Sequence, residues 1–156
     1  MKPFVVRQAT VDDAHKIAPM LREQDRREVL AASGYTPEVV LPTAFTIEGD
    51  KDIIFAETVD GDPILIAGVR ETQPRIGAIW MVGTPLIEQY AFRYARHARR
   101  KVDKEWHAKW PCLWNMAWAD NDLHVRWLEY MGFKFLRRVE HRGHSFIEFA
   151  RHKNVR

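Results

Sequence analysis

Hydrophobic and polar residues alternate in several stretches of the first half of the chain, and this alternation is typical of β-strands. The pattern predicts an opening strand at Phe4–Thr10 and two strands in the stretch IIFAETVDGDPILIAGV, joined by a turn at Asp60–Asp62. Another strand is predicted at Ile76–Val82, and Gly83–Pro85 ends it. These strands indicate an antiparallel sheet in the N-terminal half.

A helix is predicted between the first strand and the hairpin. It begins at Thr10, where Asp13 completes a pattern like a capping box, and Pro19 predicts a kink. Its apolar face consists of Ile17, Met20 and Leu21. The residues around Ser33–Pro37 combine serine, glycine, threonine and proline, and they predict an irregular passage that leads to the hairpin.

The clearest helical periodicity follows the fourth of these predicted strands, Ile76–Val82. Apolar residues recur at helical spacing and predict a buried face made of Ile87, Ala91, Tyr94, Ala95, Ala98, Val102 and Trp106. The remaining positions carry an unusual number of cations, namely Arg93, Arg96, Arg99, Arg100, Lys101 and Lys104. Pro111 closes this region.

The stretch NDLHVRWLEYMGF predicts a last helix, which Asp120 or Asn121 caps and Gly132 ends. Its predicted buried face consists of Leu123, Trp127, Leu128 and Met131. The remaining predicted strands are Leu113–Trp118, Phe133–Val139 and His144–Ala150. The order strand, helix, three strands, helix, strand, helix, two strands predicts a single α+β domain over 1–156, with helices against one mixed sheet.

Composition narrows the classes of protein that the chain can belong to. Its 156 residues suffice for one domain with one core. A single cysteine, Cys112, excludes an internal disulfide, and no apolar run approaches the roughly 18 residues of a membrane span. The formal charge of +3 alone does not indicate a nucleic-acid binder. His141 and His144 flank a turn without a third ligand, so no metal site is predicted.

The predicted order of elements and two short motifs resemble the GNAT superfamily of acyl-CoA N-acyltransferases. The first motif is an arginine-x-alanine-threonine strand end before an acidic helix cap, here Arg7, Ala9, Thr10 and Asp13. The second is an asparagine eleven residues before a glycine-phenylalanine pair, here Asn121, Gly132 and Phe133. The resemblance spans nearly the whole chain and implies a GNAT-like sheet and acetyl-CoA as the one cofactor to expect.

A narrower resemblance concerns LWNMAWADNDLHVRWLEYMGFKF, which is similar to the C-terminal part of a small GNAT-like internal virion protein of short-tailed bacteriophages. The matching positions are Leu113, Trp114, Asn115, Trp118, Asn121, His124, Arg126, Leu128 and Gly132. This likeness covers about a quarter of the chain. It implies a bacteriophage protein associated with the virion, with virion or host proteins as partners and a location in the virion and the host cytoplasm.

Two positions depart from the pattern of active GNAT enzymes. Those enzymes carry a glycine-rich loop after the fourth strand, and its amides hold the CoA pyrophosphate at a helix N-terminus. This chain keeps Gly83 there but has Pro85, which has no N–H group. Many family enzymes also carry a tyrosine acid seven residues after the asparagine, where this chain has Leu128. Tyr130 lies about 200° further round the helix.

The candidate site residues follow from these comparisons. If the protein is an enzyme, Glu57 and Glu71 are the general-base candidates, although exposed surface glutamates are the more common case. The cofactor-binding candidates are Met81, Val82, Gly83, Thr84 and Asn121, with Met81 and Val82 offering backbone groups that polarise the thioester. For Asn121, helix capping is the simpler interpretation.

Two functions from different classes follow. The first is a virion-associated structural or interaction protein whose acyltransferase site has degenerated, and the second is an active CoA-dependent N-acetyltransferase acting on an amine. Arg93, Arg96 and Arg100 share one face of the basic helix and are the candidate interaction residues. They suit an acidic protein surface, the CoA phosphates or, with weaker support, nucleic acid; a solvated helix face is the simplest alternative.

Overall fold

The computed structural model describes residues 2–153, which form a seven-stranded mixed sheet covered by helices. The strands are β1 (Phe4–Gln8), β2 (Lys51–Thr58), β3 (Pro63–Gln73), β4 (Ile76–Gly83), β5 (Cys112–Trp118), β6 (Lys134–His141) and β7 (His144–His152). Their order across the sheet is β1-β2-β3-β4-β5-β7-β6. All neighbouring strands are antiparallel except β4 and β5, which are parallel.

Within the described residues, six helices connect the strands. They are α1 (Val11–Ile17), α2 (Glu23–Ser33), α3 (Pro37–Thr43), α4 (Ile87–Lys101), α5 (His107–Lys109) and α6 (Asp122–Tyr130). A 3₁₀ turn at Ala18–Met20 follows α1, and a π-helical turn at Val102–Trp106 joins α4 to α5. Within residues 2–153, no helix has the length and apolar composition needed to cross a membrane.

Each face of the sheet carries its own apolar core. On one face, α1, α2 and α3 cover side chains such as Phe55 and Ile66, which are fully buried. On the other face, α4 and α6 cover the alternate side chains of the same strands, such as Ile54 and Leu65. Successive residues of a strand point to opposite faces, so the strands through the centre are apolar on both sides.

The periodicity of the sequence predicted this architecture with one omission. The predicted strands and the three predicted helices are confirmed, and every residue of the predicted apolar face from Ile87 to Trp106 is buried. The helices α2 and α3 were not predicted. The prediction of an irregular passage is correct only for the short link between them, where Gly34 ends α2 with a positive φ of 82°.

The strand β6 lies at one edge of the sheet, and nearly all of its side chains are exposed. Its cations are Lys134, Arg137 and Arg138, and Arg137 pairs with Glu148 of β7 at 3.4 Å. Leu136 lies at an irregularity in the pairing of β6 with β7 and is 56% exposed. This edge is therefore polar and positively charged.

Candidate functional site

The centre of the sheet contains a cleft between β4 and β5. These strands pair only from Ile76 with Cys112 to Ala78 with Trp114. The side-chain amide of Asn115 then donates to the carbonyl of Ile79 at 2.9 Å, beyond which the strands separate. The resemblance to acyltransferases places the thioester in this cleft, so its contents decide what chemistry the protein can perform.

On the side of α2 and α3 the cleft opens into a pocket of about 340 Å³, called here the α2/α3 pocket. Its floor is formed by the β4 residues 78–82, among which Met81 and Val82 were predicted to bind the cofactor. Its walls include Val29, Ala32, Val40, Leu41, Ala44 and Ile47. The volume lies in the range of small-molecule sites.

On the opposite side, between α4 and α6, the cleft is filled. Only about 10 Å³ of space remains among its lining residues, which is about the room of one water molecule. Trp127 of α6 is 5% exposed, stacks against Tyr94 and donates its indole N–H to the carbonyl of Ala91 at 3.1 Å. Leu123 and Met81 line the same small space. No cofactor arm can enter here without displacing these side chains.

Five polar side chains meet at the open end of the cleft and form a buried polar cluster. They are Arg22, Asp25, Glu28, Asn121 and His124, each 9% exposed or less. Asp25 and Glu28 belong to α2, and Arg22 directly precedes it. His124 belongs to α6, and Asn121 directly precedes it. The cluster therefore ties the helices on the two faces of the sheet to each other through the gap between β4 and β5.

Asn121 is the centre of this cluster. Its side-chain nitrogen donates to Asp25 at 2.8 Å and to Glu28 at 3.1 Å, while its oxygen accepts from Arg22. The residue occupies the N-cap position of α6 as predicted, and its carbonyl accepts from the N–H of Val125 at 3.0 Å, but its side chain makes no capping hydrogen bond and belongs to the cluster instead. With all of its polar atoms used and no exposed surface, it is not free for a cofactor in this arrangement.

The carboxylates of the cluster are matched by two cations. Arg22 approaches Asp25 at 3.2 Å, and His124 Nδ1 lies 2.9 Å from Glu28. Burial raises the pKa of Asp25, and Arg22 and Asn121 oppose that change. Burial disfavours the charged form of His124, but the adjacent Glu28 outweighs it and raises the pKa of His124. The cluster thus consists of two paired charges and carries no free one.

Because its folded-state pKa is raised, His124 makes stability depend on pH. The stabilisation from its pair with Glu28 is complete below the ordinary histidine pKa and is lost as pH rises through the folded-state value. We expect the free energy of unfolding of the wild type to exceed that of His124→Gln most at about pH 6 and progressively less toward about pH 9. Urea unfolding of both proteins across this range measures the difference; a gap that widens with pH would contradict the assignment.

The backbone groups after β4 are already bonded within the chain. The N–H of Gly83 donates to a carboxylate oxygen of Asp25 at 2.7 Å, and its carbonyl accepts from the N–H of Arg22 at 2.9 Å. Thr84 donates its N–H to the carbonyl of Ile64 at 2.9 Å and its hydroxyl to that of Pro63 at 2.8 Å. Of the predicted cofactor-binding residues, only Met81 and Val82 line the pocket.

The N-terminus of α4 offers few donors to a phosphate. Pro85 has no N–H, the N–H of Leu86 donates to the hydroxyl of Thr84 at 3.3 Å, and that of Ile87 donates to the carbonyl of Thr84 at 2.9 Å. Glu88 places a carboxylate in the first turn, where the helix dipole otherwise favours an external anion. This helix start therefore resembles an ordinary capped helix more than a phosphate cradle.

The two predicted general bases lie outside the α2/α3 pocket. Glu57 faces Arg7 near the β1 edge, at 3.3 Å. Glu71 accepts a hydrogen bond from the indole N–H of Trp110 at 3.1 Å. This contact lies on the face of the sheet opposite to Arg70, which lines the pocket. The alternation of faces along a strand explains this placement, since neighbours such as Arg70 and Glu71 cannot both face the pocket. The geometry thus gives neither glutamate access to the cleft.

The position of the proton donor also departs from the acyltransferase pattern. Leu128 is 2% exposed and packs in the core, as its place in the predicted apolar face indicated. Tyr130 is 44% exposed and meets the ring of Phe92 edge-on at 5.3 Å between centroids, at the outer surface of α4 and α6. Its hydroxyl therefore lies away from the cleft, in agreement with the helical repeat.

The predicted interaction residues lie along the solvent-exposed side of α4. Arg93 donates to the carbonyl of Lys2 at 3.4 Å and lies over the ring of Phe4. Arg96 and Arg100 are exposed and form no ion pair with any residue from 2 to 153. This surface is free to meet an anion, and its role as an interface stays a prediction.

The residues that sequence reasoning missed come mainly from α2. The stretch EQDRREVLAAS is charged throughout its first half, so it lacks the apolar stripe that marks an amphipathic helix. The features that indicate a helix here are its composition of strong helix formers and Gly34 directly after them. Asp25 and Glu28 lie on its buried side, and no apolar periodicity identifies them.

No family model matches the sequence, and no curated protein matches it by sequence. Solved structures do match its fold. A spermidine N-acetyltransferase from Vibrio cholerae, solved with CoA and spermine, has 12% identity and a TM-score of 0.69, covering 96% of this chain and 95% of that chain. A GCN5-related N-acetyltransferase from Kribbella flavida has 16% identity and a TM-score of 0.70, covering 96% and 97%.

A GNAT-family acetyltransferase from Streptococcus pneumoniae is similar over 97% of this chain and all of that chain, with 14% identity and a TM-score of 0.66. The predicted GNAT-like α+β fold is therefore confirmed, and the chain has the fold of the GNAT acetyltransferases. None of the three structures bears on the virion hypothesis. At such low identity they establish the fold alone.

Proposed function

We propose that this protein acts by binding, on a GNAT scaffold that no longer takes CoA in the family manner. The hydrogen bond from the Gly83 N–H to Asp25 at 2.7 Å carries this proposal. It occupies a backbone donor at the position where the acyltransferase pattern presents donors to the cofactor. The donor is held by a buried carboxylate, and a carboxylate also repels an approaching phosphate.

Three further features support the same conclusion. The cleft between α4 and α6 is filled by side chains that include Trp127. Glu88 adds negative charge at the helix start where the pyrophosphate would lie. Leu128 replaces the proton donor, and Tyr130 points to the outer surface. An enzyme of this class needs the cofactor and a route for protons, and each of these features removes part of that machinery.

The narrower resemblance suggests the setting in which such a binding protein works. It is similar to a virion-associated protein of short-tailed bacteriophages, with virion or host proteins as partners and a location in the virion and host cytoplasm. The exposed arginines of α4 suit an acidic partner surface. Detection of the chain by mass spectrometry in purified virions of its source phage tests this setting, and its absence from them would remove the virion role.

We expect acetyl-CoA to leave the melting temperature unchanged. A ligand present at about 100 times its Kd stabilises the folded state by about 2.7 kcal/mol, which for a chain of this size corresponds to a rise of about 5–10 °C. Differential scanning calorimetry at about 1 mM acetyl-CoA measures this shift for a Kd of about 10 µM. The spermidine N-acetyltransferase from Vibrio cholerae serves as the positive control in the same buffer.

A saturable rise in melting temperature that free CoA also produces would overturn the proposal. Such a rise would mean that the hydrogen bond between Gly83 and Asp25 can break, and that Trp127 can move out of the cleft, at a small cost in free energy. The variant Glu88→Gln provides a matched comparison, because it removes the exposed carboxylate at the helix start, which meets the cluster through Arg22 at 3.9 Å, and leaves the shorter contacts of Arg22 with Asp25 and Asn121 in place. A shift in Glu88→Gln but not in the wild type would assign the loss of cofactor binding to that single charge.

Active acetyl transfer is the second candidate, and one observation favours it. The solved structures with this fold are N-acetyltransferases, one of them in complex with CoA. In that case the backbone of Met81 and Val82 would polarise the thioester, and the α2/α3 pocket would hold the amine. Release of free CoA thiol from acetyl-CoA in the presence of spermidine tests this directly. Turnover above the rate without protein would establish the enzyme.

A further inference from the structure

The α2/α3 pocket has an inner end without free charge. Glu28 receives hydrogen bonds from Asn121 at 3.1 Å and from the backbone N–H of Trp118 at 3.2 Å, and it faces His124 at 2.9 Å. Both oxygens of this carboxylate are therefore engaged, and His124 is its ion-pair partner when protonated. A cationic ligand finds no unpaired carboxylate at this end.

The other end of the pocket carries two donors without partners. Arg70 of β3 lines the pocket, is exposed, and makes no ion pair or side-chain hydrogen bond with residues 2–153. Trp80 of β4 also lines it, and its indole N–H has no acceptor among the same residues. The indoles of Trp106, Trp110 and Trp127 donate to acceptors, whereas those of Trp80, Trp114 and Trp118 have none among residues 2–153. Of these three, Trp80 is the one that lines the pocket.

These two donors are neighbours on the sheet. Arg70 pairs with Ala78, and Gly68, two residues earlier on the same face of β3, pairs with Trp80. A Cβ on Gly68 would lie 3.2 Å from Trp80 Cζ2, which shows that the indole lies directly over this glycine. Lys51, opposite Arg70 on β2, adds a second positive charge nearby. The register therefore places Arg70 and Trp80 on the same face of adjacent strands, and both line the pocket.

Between the two ends the pocket is lined by apolar side chains. The floor extends along β4 from Ala78 to Val82, which corresponds to about 13 Å of extended strand. Val40, Ala44 and Ile47 form part of the wall. An elongated apolar group fits this space without losing hydrogen bonds, and its burial is favourable.

We propose that the α2/α3 pocket binds a carboxylate with an unbranched apolar chain, such as a medium-chain fatty acid. Its carboxylate accepts from Arg70 and Trp80 at the entrance, and its chain lies along β4 toward the neutral pair of Glu28 and His124. This inference rests on the proposed binding function and names its ligand. An amine ligand is disfavoured, because Arg70, the one charged pocket-lining residue that makes no ion pair within residues 2–153, is positive and would repel it.

Isothermal titration calorimetry with decanoate tests the proposal. We expect saturable binding with one site, and much weaker binding of decanol, which has the same chain without the charge. Spermidine should give no heat beyond dilution. Arg70→Gln should weaken decanoate binding by about tenfold or more, because a charge-assisted hydrogen bond is lost. Trp80→Phe, which keeps the ring and removes the N–H, should weaken it by a smaller factor.

Arg99→Gln is the matched control. Arg99 is also exposed and unpaired among the described residues, but it lies on α4 across the sheet. Equal loss of affinity in Arg70→Gln and Arg99→Gln would overturn the site, since it would indicate attraction to net charge. If decanoate did not bind, the ligand assignment would be wrong. The expectation that acetyl-CoA leaves the melting temperature unchanged would not be affected, because a separate measurement tests it. Binding of spermidine in the pocket would overturn the ligand assignment and support acetyl transfer.

Discussion

Replacing Asp25 with alanine is expected to lower the free energy of unfolding by about 3–5 kcal/mol, because it breaks a buried charge pair from one side. Arg22, which is 6% exposed, would keep its charge in the interior without its partner at 3.2 Å. The amide of Asn121 and the N–H of Gly83 would each lose an acceptor, at 2.8 Å and 2.7 Å. Buried donors without acceptors are costly because the chain has given up their contact with water.

Urea unfolding followed by circular dichroism measures this change. Glu23→Ala is the control on the same helix, since the Glu23–Arg27 pair is exposed and such pairs contribute up to about 1 kcal/mol. If Asp25→Ala and Glu23→Ala lowered the free energy of unfolding by equal amounts, the buried polar cluster would not hold α2 at the cleft as the distances indicate. A double variant that also replaces Arg22 should recover part of the loss, because no unpaired charge would then remain.

Replacing Trp110 with alanine is expected to cost about 3–5 kcal/mol of stability. Trp110 is 1% exposed, and a Cβ on Gly77 would lie 3.1 Å from its Cγ, so the indole packs tightly against the β4 backbone. Removing it leaves a cavity bordered by Val69 and Leu113, which also lie within 3.3 Å of that Cβ position. Strands on two sides of the cavity limit how far it can collapse.

Thermal and urea unfolding of this variant should be compared with Glu71→Gln. The glutamine keeps an acceptor for the indole N–H, which now donates to Glu71 at 3.1 Å, so we expect a loss below about 1.5 kcal/mol. This comparison also tests the function of Glu71. If Glu71→Gln left stability unchanged but abolished a measured acetyl transfer, the glutamate would be a catalytic base and its structural assignment would be wrong.

The sequence predicted the sheet because its strands are apolar on one or both faces and are separated by strong turn signals such as Asp60–Asp62. The long apolar stripe from Ile87 to Trp106 predicted the helix on one face of the sheet equally well. In both cases the buried side chains are apolar, so periodicity reports burial directly. The loss of the proton donor was also visible, since Leu128 and Tyr130 needed only the helical repeat to place them.

The candidate site was less predictable because its central residues are buried and polar. Asp25 and Glu28 have the composition of a solvated helix face, and they are kept inside by partners that are mostly distant in the chain, such as Asn121 and His124, each 96 residues from the carboxylate that it meets. Glu57 and Glu71, the predicted general bases, lie outside the α2/α3 pocket for a related reason. Sequence shows which residue types can accept a proton, whereas the face of the strand and the register of its neighbours decide which of them reaches the cleft.

The cationic edge strand β6 affects how copies of this protein meet in solution. A second copy that tried to extend the sheet at this edge would bring its own cations, Lys134, Arg137 and Arg138, close to the same three residues, while the strand offers one acid, Glu140. Their repulsion opposes the strand-by-strand stacking that leads to fibrils. Concentrated salt weakens this protection, because at about 1 M the range of electrostatic repulsion falls to about 3 Å.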